Sequence, residues 1–326
     1  MKKIIVTFCL FIMIFSCGDD DVITLDTIPD VVAEFRTNLS ELNIYTGELN
    51  NLEISSKAFE YETNTPLFTD YAHKERLIAL PNNSSLTFDG DGLPIFPDNT
   101  VIAKTFYYNL DERDPSIGRQ IIETRVLIKL NGNWESGDYI WNQEQTEAVL
   151  DPNGSILPVT WVDNDGNQQT TNYEIPSNAD CFTCHSTYDN LTPIGPKLRA
   201  LNFETNGVNQ LQELINSGAL IGISNPNSVS SIPNWLDNSV SLEERARAYL
   251  DINCAHCHTA GGYCENQSTL RLDFGTTLVE SNIIDRKESI NLRISNFNDG
   301  FSMPFIGTTM THSEGISLIQ AYLDTL

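Results

Sequence analysis

The pentapeptide Cys254-Ala255-His256-Cys257-His258 constrains this chain more than any other stretch, and it has an earlier counterpart in Cys181-Phe182-Thr183-Cys184-His185. In Cys-x-x-Cys-His the two thiols stand one helical turn apart and can add to both vinyl groups of one haem, while the adjacent imidazole is left to bind the iron. A chain with two such sites has to fold around two rigid, mostly apolar plates. Zinc sites and redox dithiols also use Cys-x-x-Cys. Zinc on the four thiolates leaves His185 and His258 without a role, and the separation of the pairs exceeds zinc-ribbon spacing. A redox dithiol needs a strand-to-helix turn in a βαβ setting, which surrounds neither Cys181 nor Cys254. Two covalently bound haem c groups are therefore the expected cofactors, with His185 and His258 as iron ligands.

The chain opens Met1-Lys2-Lys3, followed by a mostly apolar run from Ile4 to Phe15 and then Ser16-Cys17. A basic start, a short apolar core and a small residue before the cut describe a signal peptide, and the run is shorter than the ~20 residues a spanning helix needs. An uncleaved anchor is the weaker reading. Ending the run on a cysteine resembles a bacterial lipoprotein signal, in which Cys17 is lipidated, and the acidic Gly18-Asp19-Asp20-Asp21 resembles an outer-membrane tether. The expected address is the bacterial cell envelope: a lipid anchor in the outer membrane, on its periplasmic or surface face. Export also suits thioether ligation of haem. Cysteine usage agrees: of seven cysteines, Cys9 leaves with the signal, Cys17 takes lipid and four take haem. Cys264 is left as a bystander that cannot staple the fold alone.

Nineteen Lys and Arg against 44 Asp and Glu give a net charge of −25, which becomes −27 when Lys2 and Lys3 are removed with the leader. Such a field excludes nucleic acid as a partner and is compatible with a cationic redox protein.

From Tyr61 onward, β-branched and aromatic runs recur between turn signals: Arg76 to Leu80, Val101 to Tyr108, Gln120 to Leu130, Tyr139 to Trp141, Val159 to Val162 and Tyr173 to Ile175. They predict an antiparallel, sandwich-like β domain. Asn131-Gly132 and Asp165-Gly166 supply the positive-φ residues of tight hairpins. Ile121, Glu123 and Arg125 alternate with Ile122, Thr124 and Val126, and the run turns continuously apolar at Val126-Leu127-Ile128, as in a central strand. Asp163-Asn164-Asp165-Gly166-Asn167 imitates a calcium loop with Glu174 at position twelve, but Gln168 replaces the glycine at position six, so a hairpin turn is the preferred reading. Trp134, Tyr139 and Trp141 are a candidate sugar-stacking face, although aromatics in a sheet are more often core. His73 reads as a surface histidine.

Beyond Pro176 the periodicity becomes helical. Asn209 to Ser217 reads as a short helix with Gly218 at its end, and Ser241-Leu242-Glu243-Glu244 as a capping box opening a helix into Cys254. Ser313 is expected to cap a final helix with Ile316, Ile319, Tyr322, Leu323 and Leu326 on its buried stripe. The carbonyl of Pro196 is the expected acceptor for His185 Nδ1. Beyond the leader, the candidates for the second iron's remaining position are Met303, Met310 and His312, and Met303, in Phe301-Ser302-Met303-Pro304 just before the last helix, is preferred. His256 sits inside its own attachment loop. Between His185 and Ser241 there is neither Met nor His, so the first haem's sixth ligand comes from elsewhere or that site is open.

These modules resemble class I c-type cytochromes. A longer string resembles a family of bacterial diheme c-type cytochromes with an N-terminal β domain: Asp70-Tyr71-Ala72 with Lys74 and Arg76, Lys104-Thr105-Phe106, Glu123-Thr124-Arg125, Tyr139-Ile140-Trp141-Asn142, Pro176-Ser177, Gly195-Pro196-Lys197, Leu201-Asn202 and Tyr249-Leu250-Asp251. The loop at Tyr263-Cys264-Glu265 departs from the pattern. The resemblance covers most of the mature chain and implies two haems and electron transfer without a defined substrate.

The resulting expectation is a multi-domain protein: signal peptide 1–16, lipidated tether 17–40, β domain 41–176, first haem segment 177–240 and a mainly α, class I-like cytochrome module 241–326. It acts as an electron-transfer protein, rather than an enzyme, with a redox partner protein. Two alternatives stay open: a peroxidase-like diheme enzyme with an open first haem, and a β ligand-binding module coupled to a cytochrome.

Overall fold

The computed structural model describes residues 28–326. The expected signal peptide, Cys17 and the tether up to residue 27 lie outside the described residues.

Six antiparallel strands follow one another in chain order as a meander: β1 (Ala58–Glu60), β2 (His73–Ala79), β3 (Val101–Asn109), β4 (Arg119–Leu130), β5 (Asn133–Trp141) and β6 (Ala148–Leu150). A separate hairpin, β7 (Ser155–Val162) and β8 (Gln168–Ile175), packs on the same sheet. A sandwich needs two full layers; here the second strand layer is reduced to this hairpin. Each run expected as a strand falls on one of these elements. Asn131 and Gly132, at φ 51° and 83°, join β4 to β5 where Leu130 pairs with Asn133, the two-residue turn their positive φ allows.

The central strand β4 is covered on both sides. One face carries Ile121, Val126 and Ile128 into a core closed by Leu39, Leu42 and Ile44; Leu39 is fully buried, so the folded body begins before residue 41, where the tether was expected to end. The simple alternation expected from Ile121 to Val126 is corrected by a bulge. Phe106 pairs with Glu123 but Tyr107 with Ile121, leaving Ile122 as the extra residue. A bulge moves every following side chain to the opposite face, so Ile122 joins Phe106, Tyr108 and Trp161 instead.

The aromatic candidates separate. Tyr139 and Trp141 are buried in the first core, whereas Trp134 packs edge-on against Phe96 in another, so they form no common stacking face. The calcium imitation is a hairpin: Asp163 accepts from the backbone of Asp165 and Asn167 and from Gln169 Nε2, and Glu174 lies on β8 opposite Ile156.

Helices follow: α1 (Asn178–His185), α2 (Leu198–Leu201), α3 (Gln210–Asn216), α4 (Leu242–Asn253), α5 (Leu278–Ser281), α6 (Ile283–Ile294) and α7 (Ser313–Leu323). Ser241 caps α4 as expected, accepting from Glu244 N at 3.2 Å. At α7 the expected cap is displaced by one residue: His312 is the N-cap and Ser313 the first helical residue, its hydroxyl engaged with Glu314. Helix α6 was not foreseen because its stripe is weak, with Ile283 and Ile290 buried but Ile284 and Leu292 exposed. Helices α4, α6 and α7 enclose a core of Leu250, Ile290, Leu318, Ile319 and Tyr322. Gly315 permits the close crossing of α7 over α4, since a Cβ there would overlap the Tyr249 ring.

Polar side chains join the sheet to the helices. Asn253 at the end of α4 accepts from Phe68 N at 2.8 Å. Asp70, 1 % exposed, accepts from Thr309 N, Thr309 Oγ1 and Met310 N. Asp70→Ala strands those partly buried donors, at roughly 1–3 kcal/mol for an unsatisfied group; chemical denaturation should show a loss toward the lower end of that range, and hydrogen exchange should rise first around residues 305–312. Among the described residues no helix is long and apolar enough to cross a membrane.

Candidate functional site

The two pentapeptides lie side by side. The first closes α1, which Ser177 and Asp180 cap reciprocally, so Cys181 and Cys184 stand one turn apart with His185 in the last turn. His185 Nδ1 donates to the carbonyl of Thr192 at 2.8 Å, leaving Nε2 as its free lone pair. This corrects the expected acceptor, Pro196: the chain turns back through the short pairing of Ser186–Thr187 with Asn190–Leu191, which brings Thr192 to the imidazole first. Burial, and next the Lys104 charge, pull His185 down to about 3, so the ring is neutral, the form that ligates metal.

The second pentapeptide begins where α4 ends. Cys254 is the C-cap of α4, and the turn continues with Cys257 N and His258 N both donating to Cys254 O. His258 is buried, and its Nδ1 has no hydrogen-bond partner among the described residues. Burial, followed by His256, Arg271 and Arg293, pulls it down to about 4, and burial alone pushes the Cys254 thiol up to about 12.

Beside this turn opens a cavity of about 520 Å³ whose walls are mainly apolar, Leu250, Leu272, Ile290 and Ile319 among them, and which Cys254, Cys257, His258 and Met303 all border. That volume lies within the roughly 300–1,000 Å³ range of ligand pockets. Met310 and His312 border it too, but both have other engagements. His312 stacks on Phe68 at 4.2 Å and its Nδ1 meets Tyr249 Oη at 2.9 Å. Met310 packs against the sheet-side core and its amide is held by Asp70. Met303 donates its backbone amide to Arg293 O, and its thioether has no hydrogen bond among the described residues. The donor set, the apolar lining and the volume fit a haem at the second motif.

The first motif fits in its donors and not in its volume. Cys181, Cys184 and His185 border a cavity of about 90 Å³, together with Tyr61, Lys104 and Arg125. Among the described residues no methionine borders it, and its second histidine, His256, comes from the other motif. The two cavities share Cys184, Asn253, His256, Pro304, Ile306 and Thr308 as walls. Donor atoms of Cys184, His256 and Cys257 lie within 4.8 Å of one another. Neither Cys181 nor Cys254 joins that group, so the four-thiolate zinc alternative is not assembled. Cys264, expected to be a bystander, borders the larger cavity, and a hydrogen bond with Cys257 lowers its thiol; nothing in its sequence context signals that position. His73 borders neither cavity and pairs with Glu112 at 2.9 Å.

Sequence reading also missed the polar frame behind the site. Asp251 on α4, 2 % exposed, takes Arg199 of α2, Lys197 at 3.3 Å and the amide of Phe274. Arg247 donates to the carbonyls of Asp273 and Thr276. The family-like strings around Lys197 and Asp251 thus meet in space. Comparisons with family models, curated proteins and solved structures return no match to this chain.

Proposed function

We propose that the chain is an exported diheme c-type cytochrome lipoprotein that passes electrons between partner proteins, with the sheet as one domain and the helices as another. The supporting observation is the 520 Å³ apolar cavity bordered by both thiols and the imidazole of one Cys-x-x-Cys-His and by the Met303 thioether. In this reading Cys254 and Cys257 hold one haem with His258 and Met303 on its iron, and Cys181, Cys184 and His185 supply the donors for the other, for which the present 90 Å³ cavity would have to open. A bound haem supplies one-electron iron chemistry. The chain contributes neutral imidazoles, the hydrogen bond from His185 to Thr192 that fixes the ring and raises its basicity, and apolar walls that exclude water. Lipidation of Cys17 and the outer-membrane address rest on the leader sequence alone.

A pyridine haemochrome titration with intact mass on protein made in a strain competent for haem ligation tests the reading: two haems per chain are expected, and a colourless protein would refute it. Met303→Ala removes a thioether that favours reduced iron, so one midpoint potential should fall on the order of 100 mV, within the roughly 0.8 V that axial ligands span. Unchanged potentials in a spectroelectrochemical titration would remove Met303 from the iron.

The lack of a methionine at the smaller cavity favours a second reading, a peroxidase-like enzyme with an open first iron. A high-spin ferric EPR signal together with peroxide turnover would favour it; two low-spin signals and no turnover would remove it.

A further inference from the structure

The smaller cavity carries chemistry that the haem assignment leaves unused. Arg76 on β2, Lys104 on β3 and Arg125 on β4 are directly paired across neighbouring strands, and Lys74 lies two residues along the same strand from Arg76. Like charges directly opposite one another are unfavourable in a sheet, so such a row calls for negative charge. Arg76 has Glu62 at 2.8 Å, and Arg125 has Glu123 with Asp138 at 3.7 Å. Lys74 Nζ donates to Ala72 O. Lys104 has no hydrogen bond or ion pair among the described residues; it lies 6.0 Å from the Phe106 ring, which Lys74 and Arg125 share at 5.6 and 4.5 Å. Tyr61 borders the same cavity, is 1 % exposed, and its buried hydroxyl has no hydrogen-bond partner among the described residues.

We propose that this cavity binds a small monoanionic oxygen group, a carboxylate or oxyanion, between Lys104 and Arg125 with the Tyr61 hydroxyl as a further donor. The size agrees: at about 30 Å³ per water, a cavity of 90 Å³ takes an ion of three or four heavy atoms and excludes a sugar. Guanidinium and ammonium donors make charge-assisted bonds to such a group, roughly twice as strong as neutral ones. Burial, then Arg76 and Arg125, pull Lys104 down to about 7, as expected for a cation still lacking its counter-ion. The oxygen group has two mutually exclusive sources: a free anion, which takes the cavity at its present 90 Å³ with no haem in it, or a propionate of a porphyrin on Cys181 and Cys184, which would have to open the cavity; only the second rests on the haem reading.

Calorimetric titration of the purified holoprotein with sodium formate and sodium nitrite at low ionic strength, its haem content fixed by pyridine haemochrome on the same batch, tests the site. For a free anion, binding is expected in the wild type, weakened at least about tenfold in Lys104→Met, the loss of one hydrogen bond to a charged group, and largely restored in Lys104→Arg. For a propionate, neither anion binds, and Lys104→Met shifts a haem midpoint potential that Lys104→Arg leaves near its original value. Absence of both effects overturns the proposal. In a batch without haem the anion titration alone decides, so failure of the haem reading appears in the haemochrome and failure of the site in the calorimeter.

Discussion

Cys254→Ser/Cys257→Ser is expected to leave one covalent haem per chain instead of two and to unfold much of the helical region. Cys254 and Cys257 are the two thiols of the Cys-x-x-Cys-His that borders the larger cavity; Cys184, which also borders it, belongs to the other motif, and Cys264 stands outside either motif. An apolar void costs about 24 cal/mol per Å³, so leaving 520 Å³ unfilled has an upper bound of about 12 kcal/mol, comparable with the roughly 5–15 kcal/mol that holds a domain folded. Water entering through the open side and partial collapse bring the loss below that bound. Hydrogen exchange should show α4, α6 and α7 losing protection while β2 to β5 keep theirs, because the sheet has its own two-sided core. Two haems in the double variant, or an unchanged helical region, would contradict the assignment of this cavity.

The second large effect lies away from either motif. Asp251→Ala should cost roughly 3–5 kcal/mol, the range for breaking a buried ion pair by deleting one partner. Asp251 is 2 % exposed and takes two cations, Arg199 and Lys197, whose side chains are themselves only 13 % and 22 % exposed. Without it both keep only the more distant Asp273 carboxylate, 4.0 Å from each and a third exposed, and the amide of Phe274 loses its acceptor. A fall in thermal midpoint on the order of 10 °C follows for a protein of this size, and calorimetric scans of the holoprotein would measure it. A loss under about 1 kcal/mol would mean that water reaches these cations and solvates them.

What could be read in the chain beforehand was local. The Asn131-Gly132 turn, the Ser241 cap and the both-sides-buried stretch at Val126-Leu127-Ile128 each depend on neighbours a few residues away. The positions that escaped depend on distant partners or on backbone path. The bulge at Ile122 exists because β3 and β4 pair as they do, and no residue type there demands it. The acceptor for His185 is Thr192 because the chain folds back at once after α1, and either it or Pro196 offers the same carbonyl. Asp251 sits at a helical position a surface carboxylate would fill equally well, and its two cationic partners lie more than fifty residues earlier. Cys264 escaped for the same reason: a lone thiol in a polar loop has no pattern that would report its contact with Cys257.

The common wall of the two cavities bears on how this molecule can be tuned. Cys184, His256 and Cys257 bring donor atoms within 4.8 Å of one another, in a partly buried setting where an added charge is felt more strongly than in water. In the two-haem reading, whatever alters the electronic state on one side biases the other, and mutations or mutational drift cannot adjust the pair independently. Selection would act on them as a tandem with a joint set point, and any engineer wishing to shift one would first have to insulate it.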